Sequence, residues 1–189
     1  MKFLETVKSV AGEPQHLEYH QRRVHSTLHD STHNLADILS PPKNGIYRCR
    51  VVYDKEMAEV TYYPYILKIP QSFKILHIDD FEYSRKYEDR SNFQRLIDEN
   101  RTYDEILILK NRLFTDTSIA NVAFLKNGRW ITPKKPLLYG TTRMRLIESG
   151  FLHTEDICID NLDKFDGFGV MNALTGFQII KNGIMSLKK

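Results

Sequence analysis

The sequence predicts an α/β protein, strictly α+β, with a small N-terminal lobe over residues 1–78 and a larger C-terminal lobe over residues 79–189. Between residues 17 and 28, apolar side chains recur at helical spacing. Between residues 46 and 63 they alternate with polar ones, as in a hairpin of two strands. Segment 79–90 is polar and lacks periodicity, which is typical of a connection that lies over a site.

The N-terminal lobe is predicted to combine strands with helices. Pro14 can open a helix because the first helical turn needs no N–H partner, and Asp30 and Ser31 are candidate caps of a second helix. The predicted elements are a strand over residues 3–7, a helix with Leu17, His20, Val24 and Leu28 on one face, a short helix with Leu35, Ile38 and Leu39, strands over 46–53 and 60–63, and a strand over 73–78.

The C-terminal lobe is predicted to place further strands around two helices. Asn127-Gly128 favours a tight hairpin because both residues tolerate positive φ, and Gly150 is typical of the position after a helix. The predicted elements are a helix with Phe93, Leu96 and Ile97, a buried strand over 106–109, a hairpin over 122–131, a helix that follows Gly140, and a last hairpin around Asn182-Gly183.

The composition is that of an ordinary globular protein, with 41% hydrophobic and 27% charged residues. The net charge is only +3 and basic residues stand beside acidic ones, so we expect no nucleic-acid partner. Cys49 and Cys158 lie far apart, which argues against a CxxC zinc site or a disulfide framework.

Nothing in the sequence predicts secretion or membrane insertion. Glu5 and Lys8 interrupt what would have to be the apolar region of a signal peptide. No run approaches the roughly 20 apolar residues of a transmembrane helix. We therefore expect a cytoplasmic protein without a membrane partner.

A series of histidines raises the alternative of a metal site. Two imidazoles at helical spacing can bind one metal ion, but no glutamate completes an HExxH motif here. We expect these side chains to lie mostly on a helix surface and to bind no metal. They are His16, His20, His25, His29 and His33.

Four short segments carry the candidate chemistry. In chain order they are His20-Gln21-Arg22-Arg23, Lys86-Tyr87-Glu88-Asp89-Arg90, Thr115 to Asn121, and Gly140-Thr141-Thr142-Arg143. Their order and spacing resemble the class IV aminotransferases, the fold-type IV pyridoxal-phosphate enzymes. That family includes branched-chain and D-amino-acid aminotransferases and 4-amino-4-deoxychorismate lyase. The resemblance implies a barrel-like C-terminal lobe, pyridoxal 5′-phosphate as cofactor, and a homodimer.

The resemblance implies that Lys86 holds the cofactor aldehyde as a Schiff base. A lysine near other cations has a lowered pKa, and its free amine can attack the aldehyde and later move protons. Taken alone, Lys86 in so polar a segment would be a solvated surface lysine. Lys68 and Lys74 are poorer candidates because they lie in or beside apolar strand runs.

Asp116 occupies the position where the family usually has glutamate. The resemblance implies that its carboxylate pairs with the protonated ring nitrogen of the cofactor, so that the ring can withdraw electrons from the substrate. Aspartate is one methylene shorter than glutamate, so either the backbone lies closer to the ring or a water bridges the gap. The alternative is that Asp116 only caps a turn.

Thr141, Thr142 and Arg23 are the candidate phosphate-binding residues. A helix start offers backbone N–H groups and the positive end of the helix dipole, and an arginine can add a bidentate contact. Threonines also cap ordinary helices, so the resemblance is what favours phosphate binding. His20 lies one turn before Arg23. We expect it to be a packed structural histidine, with a role in the site as the alternative.

Two features favour the lyase branch of the family. Arg90 follows Lys86 by four residues and is the candidate substrate-binding residue, with a surface ion pair as its alternative. Met171-Asn172-Ala173-Leu174 is similar to an Asn-Ala-Leu segment of 4-amino-4-deoxychorismate lyases, which implies that Asn172 faces the cofactor phosphate.

The function implied is therefore that of a pyridoxal-phosphate enzyme that acts on a small amino-bearing acid. The first candidate is a 4-amino-4-deoxychorismate lyase, which yields 4-aminobenzoate and pyruvate by β-elimination. The second is an amino-acid aminotransferase of the branched-chain or D-amino-acid type. A non-catalytic relative that keeps the fold and the cofactor is the third.

Overall fold

The computed structural model describes residues 1–187 and divides into two compact units. The first unit consists of residues 1–68 and 85–89, and the second of residues 69–84 with the chain from Arg90 onward. Each unit has its own sheet and its own buried core. The predicted α+β class is confirmed. Over the described part of the chain, no helix is long and apolar enough to cross a membrane.

The first unit is built on a four-stranded antiparallel sheet. Its elements are β1 (Phe3–Val10), β2 (Glu13–Pro14), α1 (Leu17–Thr27), α2 (Leu35–Ile38), β3 (Ile46–Tyr53) and β4 (Ala58–Pro64). The strand order is β2-β1-β3-β4. Residues 85–89 return to this unit, where Tyr87 forms a bridge with Phe3.

Alternation along β1 decides what the first unit buries. Phe3, Glu5 and Val7 point to one face because successive strand side chains alternate, and none is more than 3% exposed. Val24 of α1 and Leu35 of α2 complete the same core. Glu5 is thus a charged side chain enclosed among apolar ones, and it needs a charged or hydrogen-bonding partner.

The second unit is built on an eight-stranded sheet. Its elements are β5 (Phe73–His77), α3 (Ser91–Glu99), β6 (Glu105–Lys110), β7 (Leu113–Thr117), β8 (Asn121–Lys126), β9 (Arg129–Pro133), α4 (Thr141–Glu148), β10 (Leu152–Glu155), a 3₁₀ helix (Ile159–Lys164), β11 (Gly167–Asn172), β12 (Gly176–Ile180) and α5 (Gly183–Leu187). The strand order is β10-β9-β8-β7-β6-β5, with β11 paired to β8 and β12 paired to β11. The pairs β5–β6 and β9–β10 are parallel.

The core of the second unit is organised around β6. Residues 106–109 are almost completely buried, as expected for a strand covered on both faces. Helix α4 packs through Leu146 and Ile147 onto buried residues of β8, β10 and β11. This packing fixes the axis of α4, and therefore the place where the helix begins.

The end of the chain differs from the sequence prediction. The hairpin expected around Asn182-Gly183 is wrong, because the last hairpin is β11–β12 and α5 begins at Gly183. Asn182 turns the chain with a φ of 55°. Ile184 and Leu187, three residues apart, are buried in the core of the second unit. Burial of this helical face outweighed the hairpin tendency of Asn-Gly.

The division of the chain also differs from the predicted boundary after residue 78. Strand β5 belongs to the second unit because it pairs with β6. Lys86, expected in the C-terminal lobe, belongs to the first unit, where its carbonyl accepts from the Leu4 N–H at 2.8 Å. Long-range strand pairing, which a local pattern does not specify, decides both assignments.

Two helix starts differ in detail from their predictions. Pro14 lies in β2, and α1 begins only at Leu17. Asn34, rather than Asp30 or Ser31, caps α2, since its Oδ1 accepts from the Ala36 N–H at 3.1 Å.

Candidate active site

The β7–β8 hairpin places Asp116 beside Asn121. Thr117 closes the turn, because its N–H donates to the Ala120 carbonyl at 2.9 Å and its hydroxyl accepts from the Ala120 N–H at 3.0 Å. Asp116 and Asn121 are then direct cross-strand partners. Side chains of such partners lie on the same face of the sheet. The turn therefore explains why this carboxyl group and this amide meet.

Both carboxyl oxygens of Asp116 accept hydrogen bonds, and the residue is 4% exposed. Oδ1 accepts from Asn121 Nδ2 at 2.6 Å and Oδ2 from the Leu138 N–H at 2.8 Å. Burial raises the pKa of Asp116 to about 7, although these hydrogen bonds and the charge of Arg143 act in the opposite direction. Because its direct hydrogen-bond donors are neutral, a cation bound beside Asp116 would stabilise the carboxylate. A carboxyl group with so strongly shifted a pKa is typical of a functional site.

The start of α4 lies in the same part of the second unit. Thr141 and Thr142, its first two residues, are buried. The first N–H groups of a helix have no partner within the helix and mark its positive end. Gly140, just before them, lies against Asn121, since a Cβ built on it would be 2.0 Å from Asn121 Oδ1. The structure thus brings the Asp116 hairpin and the predicted phosphate-binding turn together.

Arg143 follows the two threonines and is only 3% exposed. Its Nη2 donates to the Pro133 carbonyl at 2.8 Å, and its guanidinium lies 5.6 Å from the ring centroid of Tyr139. Its buried Nε has no hydrogen-bond partner within residues 1–187. Burial lowers the pKa of Arg143, and Asp116 and Tyr139 act against that change. A buried cation with an unused donor adds positive potential close to Asp116.

Arg90, the predicted substrate-binding residue, contacts the turn that follows Asp116. Its Nη2 donates to the Ser118 carbonyl at 2.6 Å, and its guanidinium lies 5.2 Å from the Phe93 ring centroid. Glu105 is buried, which raises its pKa, and the charge of Arg90 acts in the opposite direction. Arg90 therefore braces the 117–120 turn, and its contact with substrate stays a prediction.

Asn172 ends β11 and organises the turn into β12. Its Oδ1 accepts from the N–H groups of Leu174 and Thr175, each at 2.9 Å, and from the Thr175 hydroxyl at 3.1 Å. This oxygen is therefore committed to the turn. The predicted phosphate contact would have to come from the amide nitrogen of Asn172.

Arg23, in the first unit, binds the buried carboxylate of Glu5 through two nitrogens. Arg23 Nε donates to Glu5 Oε1 at 2.7 Å and Nη2 to Oε2 at 2.6 Å, while His20 Nδ1 lies 2.6 Å from Oε2. Burial acts to raise the pKa of Glu5, but Arg23 and His20 outweigh it and the pKa falls to about 2. His20 is 1% exposed, which matches a packed histidine rather than a solvated one.

Lys86 lies on a segment that is anchored beside β1. Its carbonyl accepts from the Leu4 N–H, and the next residue but one, Glu88, donates through its N–H to the Lys2 carbonyl at 3.1 Å. The Glu88 carboxylate also pairs with Arg50 at 2.9 Å. The backbone on both sides of Lys86 is therefore fixed, although the segment lacks regular secondary structure.

Two features of the second unit fit a cofactor with an anionic end and a cationic ring. The buried start of α4 offers N–H donors to an anion, and Arg143, the third residue of this helix, has a buried Nε without a hydrogen-bond partner among the described residues. Asp116 offers a buried carboxyl group to a cation. Over residues 1–187, no group of three or more His, Cys, Asp or Glu side chains is arranged to bind a metal ion.

Three residues to which the sequence pattern assigns no site role lie beside candidate site residues. Glu5, which binds Arg23, lies between Phe3 and Val7 on the inward face of β1, and a charged residue at such a position indicates a buried ion pair. Asn121, which binds Asp116, lies against Gly140, just before the two threonines. Their contact joins residues far apart in sequence, so no local signal indicates it.

The model of the amino-transferase class IV family matches residues 85–182. An uncharacterized protein of Haemophilus influenzae is 34% identical to this chain over 182 residues, which cover 91% of this chain and 97% of the relative.

Solved structures extend this likeness. A "putative 4-amino-4-deoxychorismate lyase" from Haemophilus somnus 129PT has a TM-score of 0.86 at 31% identity, over 93% of this chain and 97% of that one. An aminotransferase from Brucella abortus bound to the cofactor PLP has a TM-score of 0.73 at 15% identity, over 99% and 85% of the two chains, and shares the fold. By its family match and its fold, the chain belongs to the amino-transferase class IV family and is a pyridoxal 5′-phosphate-dependent enzyme.

Proposed function

We propose that this chain binds pyridoxal 5′-phosphate through Lys86 and acts as a 4-amino-4-deoxychorismate lyase. The reaction is a β-elimination that gives 4-aminobenzoate and pyruvate. The observation that carries the proposal is the buried Asp116 carboxyl group next to the start of α4. The cofactor has a ring nitrogen at one polar end and a phosphate at the other. The carboxyl group suits the protonated ring nitrogen, and the start of α4 suits the phosphate.

The choice of lyase over aminotransferase rests on similarity. The Haemophilus somnus protein named as a lyase is 31% identical over nearly the whole chain, whereas the Brucella abortus aminotransferase is 15% identical. Arg90 and the Asn172-Ala173-Leu174 segment also match the lyase branch. These observations support the elimination reaction as the first candidate.

Lys86 is the proposed base. Its Nζ would hold the cofactor aldehyde and, in its free form, would take a proton from the amino-bearing carbon of the substrate. The cofactor would supply an electron-withdrawing ring that stabilises the charge left on that carbon. Loss of the substrate side chain as the enolate of pyruvate, which takes up a proton, would leave 4-aminobenzoate. Asp116 would favour a proton on the ring nitrogen.

The phosphate-binding residues are proposed to be Thr141, Thr142, Arg23 and Asn172. The two threonines contribute the first N–H groups of α4, which are suited to an anion. Arg23 adds a positive charge, and its guanidinium is oriented by Glu5. Asn172 contributes its amide nitrogen, because its oxygen is held in the turn. Arg90 remains the proposed contact for a substrate carboxylate.

A titration of the purified chain with pyridoxal 5′-phosphate tests the cofactor assignment. We expect a visible band near ~410–420 nm that borohydride abolishes, with the reduced cofactor attached to the peptide that contains Lys86. Turnover with 4-amino-4-deoxychorismate, followed by pyruvate release, tests the lyase. Transfer of an amino group to a keto acid instead would identify an aminotransferase. Cofactor binding without either activity would identify a non-catalytic relative.

Replacement of single lysines tests whether Lys86, rather than another lysine, carries the cofactor. Lys86→Ala is expected to abolish the borohydride-stable attachment and nearly all turnover, because it removes the amine that is proposed to bind the aldehyde. Lys74→Ala is the matched control, since Lys74 lies on β5 with its amine 5.5 Å from the Tyr103 ring centroid. Attachment of the cofactor to any other lysine contradicts the assignment.

The enzyme is further proposed to be a cytoplasmic homodimer without nucleic-acid or membrane partners. Its modest net charge of +3 supports the absence of a nucleic-acid partner. Light scattering coupled to size exclusion gives the mass directly. A mass near the 22.2 kDa of one chain would contradict the dimer.

A further inference from the structure

Asn121 joins β8 to the loop that precedes α4. Its Nδ2 donates to Asp116 Oδ1 at 2.6 Å and to the Leu138 carbonyl at 2.8 Å. A carbonyl oxygen can only accept, so the atom that faces Leu138 must be the amide nitrogen rather than the amide oxygen. Asn121 is 6% exposed. The orientation of this amide is therefore determined by its buried neighbours.

Gly140 has no Cβ at the place where Asn121 lies. A Cβ built on Gly140 would be 2.0 Å from Asn121 Oδ1 and 3.2 Å from its Cγ. The backbone of Gly140 has a φ of −70° and a ψ of 145°, which any L-residue adopts. Space for Asn121, and not backbone conformation, therefore requires a glycine at this position.

The two nearest partners of Asp116 can only donate. Asn121 Nδ2 and the Leu138 N–H carry protons and no lone pair to accept one, so both hydrogen bonds are satisfied when Asp116 is a carboxylate. Arg143 is the charged group that acts on Asp116 and also favours the carboxylate. Burial favours the neutral acid instead. Asn121 is thus one of a few groups that offset the effect of burial.

We propose that Asn121 is a positioning residue of this enzyme, which favours the carboxylate form of Asp116 and holds it in one orientation toward the cofactor, and that Gly140 provides the space for it. The inference rests on the proposed function, in which Asp116 pairs with the ring nitrogen. It also explains how aspartate serves where the family usually has glutamate. The aspartate side chain has one rotatable bond fewer than glutamate. The hydrogen bonds from the Asn121 amide and the Leu138 N–H restrict the rotation of the remaining bonds.

Two variants break the same contact in different ways. Asn121→Leu removes the donor while keeping the size of the side chain, and Gly140→Ala keeps Asn121 but displaces it. Both are measured as the full chain by a ¹³C NMR titration of the Asp116 carboxyl group, assigned by comparison with Asp116→Asn, and by cofactor titration. We expect the Asp116 midpoint to rise by about one pH unit in each variant and cofactor binding to weaken about tenfold. The double variant should lose little more than either single variant, because both remove one contact.

Asn100→Leu is the matched control. It removes an amide-to-carbonyl hydrogen bond of the same length, from Asn100 Nδ2 to the Leu96 carbonyl at 2.8 Å, at the end of α3. This variant should change neither the Asp116 midpoint nor cofactor binding. If a variant at position 121 or 140 fails to fold, Asn121→Ser keeps a donor on a shorter side chain and should fall between Asn121→Leu and the unaltered chain.

The outcomes separate this inference from the proposed function. An Asp116 midpoint that stays in place in folded Asn121→Leu and Gly140→Ala overturns the positioning role, even if the unaltered chain binds the cofactor. An Asp116 midpoint that rises as expected supports the role of the Asn121 hydrogen bond in stabilising the Asp116 carboxylate. Failure of the unaltered chain to bind the cofactor, with the midpoints moved as expected, overturns the proposed function and not the effect of Asn121 on Asp116.

Discussion

Glu5 in the first unit and Asp116 in the second are both buried carboxyl groups, yet their ionisation differs. Burial acts to raise both pKa values. Glu5 has Arg23 and His20 as partners and its pKa falls to about 2, whereas Asp116 has an amide and a backbone N–H as direct partners and its pKa rises to about 7. The comparison shows that a cationic partner, rather than the degree of burial, decides the charge of a buried acid in this protein.

The difference implies different roles. With its lowered pKa, Glu5 is an anion at neutral pH, and its charge is matched by Arg23 inside the first unit, so we assign it a structural role. Among the described residues of its own unit, Asp116 forms hydrogen bonds but no ion pair. A cation from a ligand would balance the charge of its carboxylate. In the proposed function, the protonated ring nitrogen of the cofactor would be that cation.

The largest effect is expected on the free energy of unfolding, from Glu5→Gln. The substitution leaves Arg23 buried without its counter-charge, and breaking a buried pair by removing one partner typically destabilises by about 3–5 kcal/mol. Urea unfolding of the full chain measures the change. Glu88→Gln, which breaks the half-exposed pair with Arg50, is the control and should change stability by roughly 1 kcal/mol or less. Equal effects of the two substitutions would contradict the role of Glu5.

Asp116→Asn is expected to affect activity more than folding. The neutral amide no longer favours a protonated ring nitrogen, so cofactor binding should weaken at least as much as in Asn121→Leu. At saturating cofactor, the loaded enzyme should lose turnover by about a hundredfold or more. Kinetics of the loaded enzyme and urea unfolding are measured together. Activity within about twofold of the unaltered enzyme would leave Asp116 a structural role only.

Arg23→Ala is expected to weaken cofactor binding by about ten- to a hundredfold, since one hydrogen bond to a charged group is worth ~1.5–3 kcal/mol. The substitution also removes the partner of Glu5, so Arg23→Lys, which keeps a positive charge, is measured beside it. Lysine should restore much of the stability but not the bidentate geometry. Unchanged cofactor affinity in both variants would show that Arg23 serves Glu5 alone.

The smallest effect is a difference in the pH dependence of stability, at most about 1.4 kcal/mol per pH unit for each proton. Glu5 has a lowered pKa in the folded chain, so its contribution is present above its ordinary value of 4.5 and is lost as the pH falls toward about 2. Asp116 has a raised pKa, so its contribution is present below 3.8 and is lost as the pH rises through about 7.

Urea unfolding of the full chain without added cofactor, between pH 3 and pH 8, measures both slopes. Glu5→Gln should remove part of the fall in stability at low pH, and Asp116→Asn part of the fall toward neutral pH. Slopes of the same sign for the two carboxyl groups would contradict the comparison.

Much of the fold follows from local pattern. The hairpin at residues 46–63, strand β6 and the helix after Gly140 were all predicted, because period and turn residues are local properties. The Asn182-Gly183 hairpin was wrong because the burial of Ile184 and Leu187 depends on a core assembled from distant strands. The lobe boundary was misplaced for the same reason, since β5 pairs with β6 across α3.

The sequence by itself determined the family, the order of the chemical segments and the candidates Lys86 and Asp116, because these depend on residue type and spacing. Tertiary structure decided the charge of each buried acid. Glu5 meets Arg23 only when α1 packs on β1, and Asp116 meets Leu138 only when the loop before α4 returns to the β7–β8 hairpin. A pKa depends on burial and on neighbours brought from elsewhere in the chain, and spacing along the sequence specifies neither.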